Sequence, residues 1–460
     1  MGPRYFPGRT VLFKREANGV TFRIPALLYI PSSTTFLAFS EERLSPSDAE
    51  ANLLVLRRGT FYRNYVEWED MRALYPAYLK NHRSMNPCPV FDEFTGTVFL
   101  FFIAVLGNIP ESFQLITGKN VTRLCYISST DHGRTWSPVT DLTDRTIGDS
   151  IKEWATFALG PGHGIQLKSG RLLIPAYAYH IDCKECFGKI CTTTPHSFTF
   201  YSDSHGKSWR FGEFVPNLET VECQLVSVDE DDGTNTLYCN SRSPLGYRVQ
   251  ALSKDDGAVF LEGQLVQKLV EQPHGCHGSV VGFPAPVLEC GDTQTADPPN
   301  GPETQLYPVR SFKSLALNAI HGCHPSQNGT LPLPGTNFLP PTWVIYSHPT
   351  SPDTRVQLGI YLSTFPRDPD SWSEPWVIYE GPSAYSDLAY VKLPSTEAAH
   401  NDTPAVAFAC LFENGSKSPY EEISFSIFTL SELIHNIPKK SDLSHNTLKS
   451  TKLRNHCTVA

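Results

Sequence analysis

Ser129-Thr130-Asp131-His132-Gly133-Arg134-Thr135-Trp136 decides how this chain is read, because it recurs. Ser202-Asp203-Ser204-His205-Gly206-Lys207-Ser208-Trp209 is a damaged copy, and Ser253-Lys254-Asp255-Asp256-Gly257-Ala258-Val259-Phe260 is a third. All three fit S-x-[D/S]-x-G-x-x-[W/F]. The Asp caps backbone N–H groups inside a tight turn, Gly supplies a positive φ, and the aromatic side chain packs beneath the loop. One such octapeptide fits any β-turn. Three in one chain imply one supersecondary unit used repeatedly.

The rest of the sequence fits that repeat. Strands are predicted at 97–106, 122–128, 171–179, 197–201, 236–240, 343–346, 359–362, 375–379, 406–412 and 423–428. Turn signals separate them at 92–96, 168–170, 231–233 and 414–415. Alternating helices are missing, which speaks against a parallel α/β sheet. Short helices are predicted only at 149–154 and at 431–437, the latter with Ser431 as N-cap. The 37 Pro, 31 Gly and 12% aromatic residues suit many short strands joined by turns. Segment 290–340 is rich in Pro, Gly, Thr and Asn and reads as an insertion, and 438–460 as a mildly basic tail. Without these two segments about 385 residues remain, a comfortable length for the 24 strands of a six-bladed β-propeller. The expected organisation is therefore one all-β domain over 1–437, with the recurring turns on equivalent outer hairpins.

Composition excludes several classes. A net charge of −9 argues against general nucleic-acid binding. The longest apolar run, 98–106, is too short to span a bilayer as a helix and reads as a buried strand. The first residues have no apolar core of the length a secretory signal needs, so the twelve Cys are read as reduced thiols and the four N-x-[S/T] sequons as unglycosylated. Cys183, Cys186 and Cys191 have half the spacing of a zinc site but no second pair, so no metal or other cofactor is expected. Surface acylation of these Cys is an alternative.

Phe22-Arg23-Ile24-Pro25 places an Arg inside an apolar run, where it needs an anionic partner. Glu41 and Glu42, just before Arg43, are candidates for that partner. This run resembles the F/Y-R-I-P motif of the sialidase (exo-α-neuraminidase) superfamily, and the octapeptides resemble its Asp boxes. Val55-Leu56-Arg57-Arg58-Gly59, His82-Arg83-Ser84-Met85-Asn86-Pro87-Cys88-Pro89, Gly160-Pro161-Gly162-His163-Gly164 and Tyr385-Ser386-Asp387-Leu388 are similar to vertebrate non-secreted sialidases. The resemblance runs from about residue 10 to 432, apart from the insertion.

The resemblance implies a retaining exo-α-sialidase on a six-bladed propeller. Arg23, Arg242 and Arg355 match an arginine triad for the substrate carboxylate, since guanidinium forks bind carboxylates in fixed geometry. Tyr385 matches the nucleophile and Glu222 its base. A neutral phenol avoids the repulsion that an anionic nucleophile would meet at a carbon already bearing a carboxylate. Asp48 matches the acid/base, with Glu50 close by as a rival. Glu41 matches the carboxylate that orients Arg23, and Arg43 a further substrate contact. Asn86, Glu111, Tyr177 and Tyr179 match positions lining the N-acetyl and glycerol pockets. His277 stands where relatives commonly have Gln. If it touches the glycerol side chain it shifts the pH profile, because His titrates near neutrality.

Substrates would be sialylated glycolipids, glycoproteins and oligosaccharides. The resemblance also implies an intracellular, peripherally membrane-associated protein. Two other readings fit a propeller: a non-catalytic sialoside-binding module, which would have lost Tyr385, Glu222 or Asp48, and a protein-interaction scaffold, which has no use for an internal arginine triad.

Overall fold

The computed structural model of the protein describes residues 5–62, 65–186, 190–230, 232–286, 340–392 and 406–438. Strands dominate, and every strand pairing within the sheets is antiparallel. Four sheets follow one another along the chain. The first is built on Thr21–Ile30, Thr35–Arg43 and Ala51–Tyr62; the second on His82–Asp92, Thr97–Leu106 and Thr122–Ser129. The third is built on Trp154–Leu159, Leu172–Cys186 and Ile190–Ser202; the fourth on Cys223–Asp229, Asn235–Ser241, Tyr247–Ser253 and Gln264–Val270. The result is an all-β, propeller-like arrangement.

The six separate blades expected from the sequence are not what the pairing shows. The remaining strands form one seven-stranded sheet, because Trp376–Lys392 runs on through two pairings. Its first part pairs with Val356–Ser363 and its second part with Val406–Asn414. Arg9–Lys14 closes this sheet against Glu422–Thr429, so the two ends of the described chain are knitted together. The expected insertion and tail lie outside the described residues, except at Pro340 and Pro438.

Each octapeptide leaves the third strand of its sheet. Ser129 Oγ accepts from Gly133 N at 2.9 Å, and Asp131 Oδ1 accepts from Arg134 N and Thr135 N at 3.1 and 2.9 Å. Ser253 and Asp255 repeat this on Gly257 and Val259. In the damaged copy Ser204 takes the place of the Asp and accepts from Ser208 N at 3.0 Å, while Asp203 turns away to Arg171.

The turns also join neighbouring sheets. Trp136 packs on Phe39 of the first sheet, and Trp209 on Phe101 of the second with ring centroids 4.6 Å apart. Gly133 and Gly206 have φ near 80°, and a Cβ on either would strike Leu37 or Phe99 of the preceding sheet. Gly is thus required twice over, for the backbone conformation and for the close approach. A fourth such turn follows Val356–Ser363, where Ser363 bridges to the buried Trp372. Two extra residues hide it from the octapeptide pattern.

The helices differ from expectation in detail. The first is a short 3-10 helix over Gly148–Glu153, one residue ahead of the expected 149–154. The terminal helix is Leu430–Asn436, capped by Thr429 and not Ser431, with Glu432 completing a capping box. Glu111–Thr117 is a helix the sequence did not announce. Among the described residues, no helix is long and apolar enough to cross a membrane.

A buried ion pair fixes one loop beside the sheet centres. Arg248 Nη1 donates to Glu271 Oε1 at 2.8 Å and to Cys276 O at 3.0 Å. Glu271 Oε2 accepts from Cys276 N at 2.9 Å and lies 3.2 Å from His348 Nε2. Burial pushes the Glu271 carboxyl up, but Arg248 and His348 outweigh it and hold it at about 2. Breaking such a pair leaves a charge uncompensated in the interior.

Two stability measurements follow. Asp131→Ala is expected to cost about 1–3 kcal/mol in urea unfolding, and Ser204→Ala only about 0.5–1.5 kcal/mol, because Ser204 is a neutral acceptor. Glu271→Gln is expected to cost about 3–5 kcal/mol at neutral pH. The folded carboxyl titrates below its unfolded value, so its contribution is present above about pH 4.5 and lost as pH falls toward 2. The gap between wild type and Glu271→Gln should therefore narrow over that window.

Candidate active site

Strands Thr21–Ile30 and Trp376–Lys392 carry Arg23 and Tyr385, residues next to strand ends supply Glu222, Arg242 and Arg355, and a 3-10 turn supplies Asp48. Tyr385 is the centre. Its hydroxyl donates to Glu222 Oε1 at 2.5 Å and accepts from Arg242 Nη1 at 3.0 Å. Arg242 Nη1 also reaches Glu222 Oε2 at 2.7 Å, closing a three-membered cluster. The guanidinium carbons of Arg23 and Arg355 lie 5.2 and 5.5 Å from the Tyr385 ring centroid. Three cations therefore surround one phenol.

The partner of Arg23 corrects a sequence expectation. Glu413, not Glu41, orients it: Arg23 Nε and Nη2 donate to the two Glu413 oxygens at 3.0 and 3.3 Å. Glu413 also accepts from Ile24 N and Tyr385 N at 2.9 and 3.1 Å, so one buried carboxylate sets the arginine and the tyrosine together. Ile24 takes a φ of 61° to allow this, at a bulge in the pairing of its strand. Glu41 stands opposite Arg23 in the strand register, yet it binds Arg43 at 2.6–2.8 Å and accepts from Asn86 N at 2.7 Å.

Arg43 is itself fully buried and braces Asp48 from below, so it supports the site without lining it. The Asp48 side chain is 72% exposed and lies 3.8 Å from Arg23. The surrounding protein pushes its carboxyl up, but Arg43 and Arg23 prevail and hold it below the ordinary range. Glu50, the rival in the same short 3-10 turn, does not share these ion pairs: it is Asp48 that meets both arginines.

The electrostatics separate the two ends of the Tyr385–Glu222 contact. Burial raises the phenol well above its ordinary value, helped by the Glu222 charge, so it stays neutral. Burial works against Glu222 too, but Arg242 wins and keeps the carboxylate ionised. The pair is a neutral donor against a charged acceptor, the strong kind of hydrogen bond.

Glu111 begins the helix Glu111–Thr117. Partial dehydration, with the charges of Glu222 and Asp48, pushes its carboxyl up to about 7. Tyr177 and Tyr179 share one face of their strand, with ring centroids 6.1 Å apart, and sense both Glu111 and Glu222. His277 does not line the opening. It is wholly buried, its ring centroid 5.4 Å from that of Tyr385, and burial pushes it down to about 4.

Arg355 Nη1 donates to Tyr420 Oη at 3.1 Å and Nη2 to Gly275 O at 2.8 Å, while Arg242 Nη2 donates to His274 O. Both carbonyls belong to the loop fixed by Glu271 and Arg248. Glu413 and Tyr420 were missed in the sequence. Glu413 had a signal, a lone carboxylate ending the apolar run 406–412; Tyr420 had none. A surface groove of about 560 Å³ beside His82, Leu106 and Lys152 contains none of these residues.

A family model described as a BNR repeat-like domain matches residues 35–280. The chain is 49% identical to Sialidase-4 of Mus musculus, over 99% of each chain. It is 44% identical to Sialidase-3 of Homo sapiens, over 93% of each. That order agrees with Glu185-Cys186-Phe187-Gly188-Lys189-Ile190-Cys191 and Trp376-Val377-Ile378-Tyr379-Glu380-Gly381-Pro382, which resemble the sialidase-four branch. Among solved structures, the Hadza microbial sialidase Hz136 shares the fold with a TM-score of 0.63 at 19% identity, covering 92% of this chain and 69% of that one. With a repeat-built β fold, arginines grouped about a tyrosine–glutamate pair, and near-full-length similarity to both curated sialidases, the chain belongs to the vertebrate sialidase family of glycoside hydrolases.

Proposed function

We propose that the protein is a retaining exo-α-sialidase that removes terminal α-linked sialic acid from gangliosides, glycoproteins and oligosaccharides. The observation that carries this reading is the 2.5 Å contact of Tyr385 with Glu222 inside a ring of three arginines. Arg23, Arg242 and Arg355 take the substrate carboxylate. That places the anomeric carbon beside the phenol oxygen, while Asp48 stands at the mouth toward the leaving group.

In the first step Tyr385 Oη attacks the anomeric carbon as its proton passes to Glu222, and the glycosidic bond breaks as Asp48 protonates the departing oxygen. In the second step Asp48 takes a proton from water, the water attacks the anomeric carbon, and Tyr385 leaves with its proton returned by Glu222. The free protein holds Asp48 ionised through Arg43 and Arg23. A substrate carboxylate on Arg23 weakens that hold and raises the proton affinity of Asp48 when the acid is needed. Asn86, Glu111, Tyr177 and Tyr179 are assigned to the walls that receive the N-acetyl and glycerol groups.

We also read the scaffold as a six-bladed propeller over 1–437. The two halves of Trp376–Lys392 supply the outer strand of one blade and the inner strand of the next, which divides the seven-stranded sheet in two. Peripheral contact with sialylated membranes belongs to the same reading.

Turnover of a fluorogenic aryl sialoside tests the enzyme. Tyr385→Phe is expected to lose at least about 100-fold in kcat, while substrate binding with no turnover by the wild type would favour the binding-module reading. Asp48→Ala should be selective. Loss on a sialosyl sugar, whose leaving oxygen needs a proton, is expected to exceed loss on the aryl sialoside by at least about tenfold. Equal losses would remove Asp48 from the acid role.

A further inference from the structure

We infer that Asp387 is a positioning residue that sets the distance between Tyr385 and Glu222, an inference that rests on the catalytic reading above. Its carboxylate is completely buried and accepts hydrogen bonds on both oxygens. Oδ2 takes Leu27 N at 2.7 Å and His163 N at 3.1 Å. Oδ1 takes His163 Nδ1 at 2.7 Å, Gln224 Nε2 at 2.8 Å and Ser279 Oγ at 3.0 Å. These donors come from four separate segments of the chain.

The spacing shows what the cluster does. Asp387 lies two residues after Tyr385, Gln224 two after Glu222, and Ser279 two after His277. Asp387 lies in the same strand as Tyr385, while Gln224 and Ser279 stand at the starts of the strands that follow Glu222 and His277. The hub therefore binds the same three stretches of chain two residues along from Tyr385, Glu222 and His277. Leu27 ties in the strand that carries Arg23. Gly162 is held beside it, and a Cβ there would strike both Gln224 Nε2 and Asp387 Oδ1. The bond from Gln224 to Asp387 and the bond between Glu222 and Tyr385 join the same two stretches of chain, at positions two residues apart on each.

The cluster needs an acceptor on both oxygens. In Asp387→Asn the new NH₂ faces His163 Nδ1, Ser279 Oγ and Gln224 Nε2. His163 can change tautomer, and Ser279 can turn its proton wholly to Gln224 Oε1, 2.7 Å away, and accept from the new NH₂. Gln224 cannot turn over, because its Oε1 also accepts from Val280 N at 3.1 Å. Two NH₂ groups then meet between the stretches of chain that carry Glu222 and Tyr385, and the pair at 224 and 387 is forced apart. Gln224→Glu in the same chain restores an acceptor opposite the new NH₂ and keeps the net charge of the cluster. The restoration is partial, because Pro161 O loses its donor from Gln224.

The test is steady-state kinetics on the fluorogenic sialoside, with Tyr385→Phe run beside the others. Asp387→Asn is expected to lower kcat by roughly 10- to 100-fold and to move KM by less than about threefold, because the arginine triad is untouched. Asp387→Asn with Gln224→Glu should recover part of the lost kcat. Wild-type kcat in Asp387→Asn, or a loss that the double variant leaves unchanged, overturns the inference. If Asp387→Asn does not fold, Ser279→Ala decides: a fall in kcat at constant KM supports the role, and unchanged kcat overturns it. An active Tyr385→Phe would instead sink the assignment of the nucleophile. An inactive Tyr385→Phe beside an unimpaired Asp387→Asn would sink the positioning role alone.

Discussion

Glu413 holds the centre of this molecule together, because it solves the problem that the rest of the site creates. A guanidinium buried beside a phenol is stable only when a carboxylate compensates it. Glu413 compensates Arg23 and, with its remaining capacity, accepts the backbone N–H groups of Ile24 and Tyr385. The backbone at Ile24 adopts a conformation that a β-branched residue ordinarily avoids. Three constraints therefore meet on one side chain: charge, backbone strain and the seat of the tyrosine. Glu222 serves Arg242 in the same way, and Glu41 serves Arg43. Arg355 differs, with neutral acceptors in Tyr420 and Gly275. That leaves its charge the least compensated of the three around Tyr385, and so the most available to an anionic ligand.

The scaffold makes such convergence possible at low cost to the chain. Strands and the turns at their ends meet at one place, so a site can be assembled from residues hundreds of positions apart. Tyr385 and Glu222 are separated by 163 positions, yet their oxygens meet at 2.5 Å. The precision of that contact depends on how firmly neighbouring sheets are held. The octapeptide turns contribute from the outside, where Trp136 and Trp209 each pack on the sheet before their own. Buried networks around Glu271 and Asp387 contribute from the inside. The turns carry no chemistry, and the damaged copy shows it: Ser204 replaces the Asp without disturbing any residue near Tyr385.

Much of this was legible in the sequence because the relevant signals are local. The octapeptides contain their own turn chemistry, and the strand 97–106 begins and ends where it was predicted. Features that depend on distant pairing were not legible. Proximity in sequence points Arg23 to Glu41 or Glu42, but its partner Glu413 lies 390 positions away. Thr429 displaced Ser431 as a helix cap because strand Glu422–Thr429 ends there, which no capping preference reveals. His277 was placed beside the substrate on a motif position alone, whereas its burial under Tyr385 follows from the packing of the loop. The turn ending at Trp372 is hidden in the sequence because two added residues break the spacing while keeping the serine and the aromatic in their roles.

In the proposed reaction Tyr385 becomes covalently bonded to the anomeric carbon. A 2,3-difluorosialic acid tests it directly, because fluorine at C3 slows the second step and lets the intermediate accumulate. Mass spectrometry of the digested protein should find the sugar on the peptide containing Tyr385, and on no other. Rapid turnover with the label on a different residue, or inactivation without any adduct at Tyr385, would contradict the proposed mechanism.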